Sequence, residues 1–128
     1  MMKYIFLISL CVIVLINQNI SLSKESIVFK DASDNINFDH LVKSNQVVLF
    51  TKKACTYCIK AKAWLKSNKI LYHEIDIDDN SHYRLPLTKK TNYTMVPQIF
   101  IEGKFIGGFD NLVKIPKDTI HSLQEEEN

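Results

Sequence analysis

An apolar, partly β-branched run, Val47-Val48-Leu49-Phe50-Thr51, leads through Lys52-Lys53-Ala54 into Cys55-Thr56-Tyr57-Cys58. No other stretch restricts the fold as much. The run has the length and composition of a strand buried on both faces, and the residues that follow, Ile59 to Lys69, contain Ala, Lys, Trp and Leu without Gly or Pro and read as helix. The two cysteines therefore sit where a strand hands over to a helix N-terminus. Unpaired backbone N–H groups and the positive end of the helix dipole favour an anion there, so Cys55 is expected to ionise more readily than a free cysteine. Lys52 and Lys53 should act in the same direction. Cys58, one turn on, shares a stripe with Ala61 and Leu65 that should face the sheet. An exposed nucleophile and a shielded second thiol, close enough to bond to each other, follow from that placement.

Two other uses of a C-x-x-C pair compete with redox chemistry. A zinc site needs four ligands, and this chain lacks a second Cys/His pair at short spacing, since His40, His73, His82 and His121 are scattered. No metal site is expected. An inert structural pair is the other alternative, and redox chemistry is favoured over both on spacing and context.

The 128 residues allow one domain of roughly 85 to 100 residues once an N-terminal segment is set aside. A net charge of +2 with both signs interspersed argues against a nucleic-acid surface. Of three cysteines, Cys11 lies in the apolar leader, so no disulfide framework is available and the core must hold the fold. Lys3 followed by Tyr4 to Ile16 matches the charged and apolar regions of a signal peptide and falls short of the ~20 residues that span a bilayer comfortably. Residues 1–23 are read as a cleaved signal peptide or an uncleaved signal anchor, and residues 24–37 as a polar linker in which Ile27-Val28-Phe29 is the one apolar interruption. The chain is expected in the secretory pathway or secreted, with membrane anchoring by the leader as the alternative.

The domain proper is assigned to residues 38–124. A short amphipathic helix carrying Phe38, Leu41 and Val42 should end by Ser44-Asn45 and precede the first strand. Leu71 to Ile77 alternates as a second strand, and the helix between the two makes them parallel. A helix should start near Tyr83 or Arg84, since Pro86 is tolerated only in a first turn, and Asn92 suits a left-handed C-cap. Gln98-Ile99-Phe100-Ile101, Glu102-Gly103 and Lys104 to Gly107 read as a hairpin with a two-residue turn. A last helix from Asp110 to Leu123 is interrupted by Pro116 and should be bent or split. His73 and Glu74 read as strand residues, and Trp64 as packing.

This order of elements, with an X-Pro before the hairpin, resembles a thioredoxin-like α/β/α domain with a central four-stranded mixed sheet. From Gln46 to Leu123 the sequence resembles the glutaredoxins specifically. Cys55-Thr56-Tyr57-Cys58 is similar to the family's C-P-Y-C, Met95-Val96-Pro97 to its T-V-P, and Gly107-Gly108-Phe109-Asp110 to its G-G-x-D. The resemblance implies a glutathione-dependent dithiol oxidoreductase in electron transport, with Cys55 as nucleophile and Cys58 as resolving thiol. It implies that Val96, before a cis-Pro97, offers its backbone to the glutathione cysteine. Lys52 and Arg84 would meet the glycine carboxylate, and Gly108, Phe109 and Asp110 the γ-glutamyl end. Tyr57 is counted with them among the residues that would bind glutathione. Read without the family, Lys52 is an ordinary surface lysine, Arg84 a solvated helix charge, Tyr57 an apolar lid and Asp110 a helix N-cap. Thr56 stands in place of the family's proline and Met95 in place of its threonine. The implied partners are glutathione and glutathionylated or disulfide-bonded proteins, met by a monomer. Two alternatives stand beside this: an iron–sulfur cluster held between two subunits with glutathione, and a thioredoxin-type disulfide oxidoreductase of the secretory pathway.

Overall fold

The computed structural model describes residues 34, 35 and 37–126. The expected leader, most of the linker with Ile27-Val28-Phe29, and Cys11 lie outside the described residues. Among the described residues no helix is long and apolar enough to cross a membrane.

The elements follow one another as helix α1 (residues 37–43), β1 (Val47–Thr51), α2 (Thr56–Ser67), β2 (His73–Asp76), a 3-10 turn (Ser81–Tyr83), α3 (Arg84–Thr91), β3 (Gln98–Ile101), β4 (Lys104–Gly107), α4 (Phe109–Leu112) and α5 (Lys117–Glu125). Helical backbone is already present at Asp34 and Asn35, inside the stretch read as linker. The strands form one mixed sheet in the order β2-β1-β3-β4, with β1 parallel to β2 and antiparallel to β3. This is the expected thioredoxin-like architecture, and it makes β1 a central strand. All five of its residues are buried, which is what an unbroken apolar run requires.

Side chains alternate across the sheet and divide the core in two. Val48 and Phe50 point with Phe100 and Ile75 into a layer closed by Phe38, Val42, Tyr83 and Leu87. Val47 and Leu49 join Ile99 and Ile101 against Ala61, Leu65, Leu112 and Ile120. The first layer is aromatic, with the Phe38, Phe50 and Phe100 rings 5.5 to 5.8 Å apart in stacked and edge-on contacts.

Local signals explain where elements stop. Pro86 falls in the first turn of α3, and Asn92 ends that helix at φ 51°, its N–H returning 2.8 Å to the Thr88 carbonyl. Glu102 and Gly103 both have positive φ, 51° and 73°, as a two-residue hairpin turn requires. The closing helix is split: α4 ends at Leu112 and α5 begins after Pro116, which lacks the N–H needed to continue it. β2 is shorter than the alternation suggested, because only 73–76 pair with β1.

β4 ends at Gly107, where φ is 114° and a Cβ would stand 2.3 Å from Asn111 Nδ2, which itself donates to the Ile106 carbonyl at 2.7 Å. Replacing Gly107 with Ala should lower unfolding stability by about 1–3 kcal/mol in chemical denaturation, from backbone strain together with the displaced Asn111.

Candidate functional site

The strand-to-helix passage ends at Cys55, which takes the N-cap position of α2 with extended backbone, φ −97° and ψ 107°. Its sulfur does what a capping oxygen does elsewhere, accepting the Cys58 N–H at 3.2 Å. Cys58 is 2% exposed and lies with Ala61 and Leu65 on the face of α2 turned to the sheet, as the spacing predicted, while Cys55 is half-buried. The two are joined as a disulfide with Cα atoms 5.2 Å apart. One sulfur is thus reachable from solvent, and its partner is reached only through it.

Val96 precedes Pro97 through a cis peptide bond, and its carbonyl oxygen is 3.7 Å from Cys55 Sγ. A disulfide sulfur has no proton to donate, so this is a contact and not a hydrogen bond. It places the backbone that leads into β3 directly beside Cys55 Sγ. Gly108 comes up behind, where a Cβ would lie 3.5 Å from the Pro97 carbonyl. Three sequence-distant segments, around Cys55, Pro97 and Gly108, are therefore brought together.

Lys52 and Arg84 are also brought together, lining with Thr94 and Gln98 a cleft of about 130 Å3. Their circumstances differ. Among the described residues no carboxylate pairs with Lys52, whereas Arg84 Nη2 is 2.5 Å from Asp78 Oδ1 and Arg84 Nε donates to the Ile77 carbonyl at 2.9 Å. Lys53 departs from expectation. Its ammonium is 2.6 Å from Asp79, and that hydrogen bond and charge attraction raise its pKa. A lysine already matched by a carboxylate adds little positive field at Cys55, which leaves Lys52 as the unmatched lysine of the two among the described residues.

On the other flank, the exposed Tyr57 ring is 6.4 Å from that of the half-buried Phe109, with Lys60 Nζ 4.9 Å from its centroid. Met95 is 64% exposed, so the rim of the cysteine pair is apolar. Asp110 is exposed in the first turn of α4, but it is not the N-cap: Gly108 holds that position and no side chain caps the helix. The helix begins one turn-position earlier than the sequence suggested because the chain leaves Gly107 directly into it. A larger hollow of about 280 Å3 lies at the opposite end of β1, lined by polar residues including Ser44, Asn45 and Gln124, and holds none of these groups.

One feature escaped sequence reading. Buried Thr51 donates to Glu74 Oε1 at 2.9 Å, and Lys62 from α2 reaches the same oxygen at 2.9 Å. This links the helix that carries Cys58 to β1 and β2, and no short-range pattern announces it because the partners are 12 and 23 residues apart. Burial opposes ionisation of Glu74, but the hydrogen bonds from Lys62 and Thr51 outweigh it and hold the carboxyl below its ordinary value. A carboxyl depressed in the folded state contributes stability above its unfolded pKa, and that contribution is lost as pH falls through the lower folded value. Glu74→Gln should therefore reduce stability at neutral pH and narrow the difference between neutral and acid stability, as read by denaturant unfolding on either side of the carboxylate range.

The glutaredoxin family model matches residues 47–106. Glutaredoxin 3 of Escherichia coli strain K12 is 44% identical over 66 residues, covering 52% of this chain and 80% of that protein. Glutaredoxin-1 of Rhizophagus irregularis is 38% identical over 78 residues, covering 59% and 77%. Among solved structures, a buckwheat glutaredoxin–glutathione complex superposes with a TM-score of 0.64 at 29% identity, covering 77% of this chain and 92% of that one. Oxidised glutaredoxin 2 from Chlamydomonas reinhardtii gives 0.60 at 30% identity, covering 74% and 94%.

Proposed function

The chain belongs to the glutaredoxin family, and from that premise we propose that its dithiol oxidoreductase site is glutathione-dependent, reducing glutathione mixed disulfides and protein disulfides. The observation that carries this reading is the position of Cys55 Sγ, capped by the Cys58 N–H and 3.7 Å from the Val96 carbonyl. The same passage carries Lys52 into the cleft it shares with Arg84. A tripeptide bearing two carboxylates and an amine would lie along that line. Its cysteine pairs with the Val96 backbone as an added strand, its glycine carboxylate faces Lys52 and Arg84, and its γ-glutamyl end meets Gly108, Phe109 and Asp110. The buckwheat relative's complex with glutathione supports the assignment.

In the reduced enzyme the Cys55 thiolate attacks the glutathionyl sulfur of a mixed disulfide. The bond to the substrate sulfur breaks, and the substrate leaves as a thiolate that takes a proton from solvent. A second glutathione thiolate then attacks the bound glutathionyl sulfur, releasing glutathione disulfide and restoring the Cys55 thiolate. Alternatively Cys58, deprotonated, attacks Cys55 Sγ and expels glutathione, giving the internal disulfide, which two further glutathiones reduce. The apolar rim of Tyr57, Met95 and Phe109 would receive the substrate protein. We place this chemistry in the secretory pathway, reached through residues 1–23 as a cleaved signal or as an anchor. Sequencing the mature N-terminus decides between these.

Cys55→Ser should reduce turnover of a glutathionylated peptide to background. Cys58→Ser should retain it within a few fold, because the second glutathione can still clear Cys55. Turnover by wild type that is independent of glutathione would overturn the proposal.

A further inference from the structure

Asp78 is the acidic residue placed closest to the cations of the cleft, and no role in the chemistry above uses it. One oxygen of its carboxylate is 2.5 Å from Arg84 Nη2, and the other accepts the Lys53 N–H at 3.2 Å, two residues before Cys55. Its own N–H is tied to Asp76 Oδ1 at 2.8 Å, so the carboxylate is held in place from the β2 side. Arg84 is fixed in turn by its bond to the Ile77 carbonyl. Of the two cations lining the cleft, one therefore arrives with an intramolecular counter-ion and the other, Lys52, without.

We propose that Asp78 sets the affinity and selectivity of the carboxylate subsite by standing as a resident competitor for the charge of Arg84. This inference rests on the glutathione reading given above. An incoming glycine carboxylate meets Lys52 at full charge. At Arg84 it meets a guanidinium already matched, and it is repelled by the Asp78 carboxylate paired with that group. The tripeptide is consequently held loosely at this end, mainly by Lys52. Loose holding suits an enzyme that must release glutathione or its disulfide in each cycle, since uniform tightening lowers KM without raising kcat.

The experiment is steady-state kinetics of the full chain with two mixed-disulfide substrates, one of glutathione and one of glutathione monoethyl ester, in which the glycine carboxylate is masked. Asp78→Asn keeps the shape and an acceptor but removes the charge. Its KM for the glutathione substrate should fall about fourfold, the size expected for one nearby, partly screened charge, with kcat not increased. KM for the ester should not move. In wild type, Lys52→Gln should raise KM for the acid substrate more than Arg84→Gln does, and in the Asp78→Asn background the Arg84→Gln penalty should grow. A merely structural role for Asp78 would raise KM for both substrates together with a loss of thermal stability, and that result overturns the proposal. So does an Asp78→Asn enzyme that folds normally with acid-to-ester discrimination unchanged. If wild type itself fails to distinguish acid from ester, the carboxylate subsite is wrong, and the glutathione reading loses that part independently of Asp78.

Discussion

The site depends on one capping contact: the Cys58 N–H given to the Cys55 sulfur at the first turn of α2. It exists because Cys58 is pulled down onto the sheet with Ala61 and Leu65, which orients the turn so that its free amides surround the preceding residue. Burial of one cysteine thus prepares the electrostatic surroundings of the other. The helix end stabilises a thiolate there without any charged neighbour in contact, which matters in a chain where Lys53 is already matched by Asp79.

Behind this contact stands β1, central in the sheet and buried along its whole length. Its two faces serve different layers, with Val48 and Phe50 on the aromatic side and Val47 and Leu49 on the aliphatic side. The Thr51–Glu74–Lys62 bonds then fasten α2 to β1 and β2. The cysteine pair is therefore tied to the core of the domain through α2, and the cis Val96-Pro97 segment opposite it leads directly into β3.

Much of this was legible from local pattern. The apolar run gave β1, Pro86 and Asn92 bounded α3, Glu102-Gly103 marked the hairpin, and Pro116 split the closing helix, because each signal acts on the residue's own backbone. Gathering Cys55, Val96-Pro97 and Gly108 came from the order of motifs and their resemblance to a family, and the structure places them together. The N-cap reading of Asp110, the one made without the family, does not hold, because Gly108 takes the cap position and α4 begins at Phe109. The charges were the least legible part. Lys53 and Arg84 look like free cations in a linear reading, yet their counter-ions Asp79 and Asp78 sit 26 and 6 residues away and meet them only through the β1–β2 pairing and the turn into α3.

That last point changes how the cleft works. Lys53 pairs with Asp79 and Arg84 with Asp78, so two of the three cations are matched inside the protein. A site built this way would leave its attraction for a carboxylate concentrated on Lys52, three residues before Cys55. The hold on a carboxylate there would then rest on one solvent-accessible ion pair, of a kind worth at most about 1 kcal/mol in water. The remaining recognition would fall on the Val96 backbone, the double glycine, the Tyr57 and Phe109 rings and, at the γ-glutamyl end, Asp110. If the tripeptide is exchanged in every cycle, as proposed, recognition by shape and backbone with little charge would hold the reacting sulfur in line while leaving the spent tripeptide free to depart.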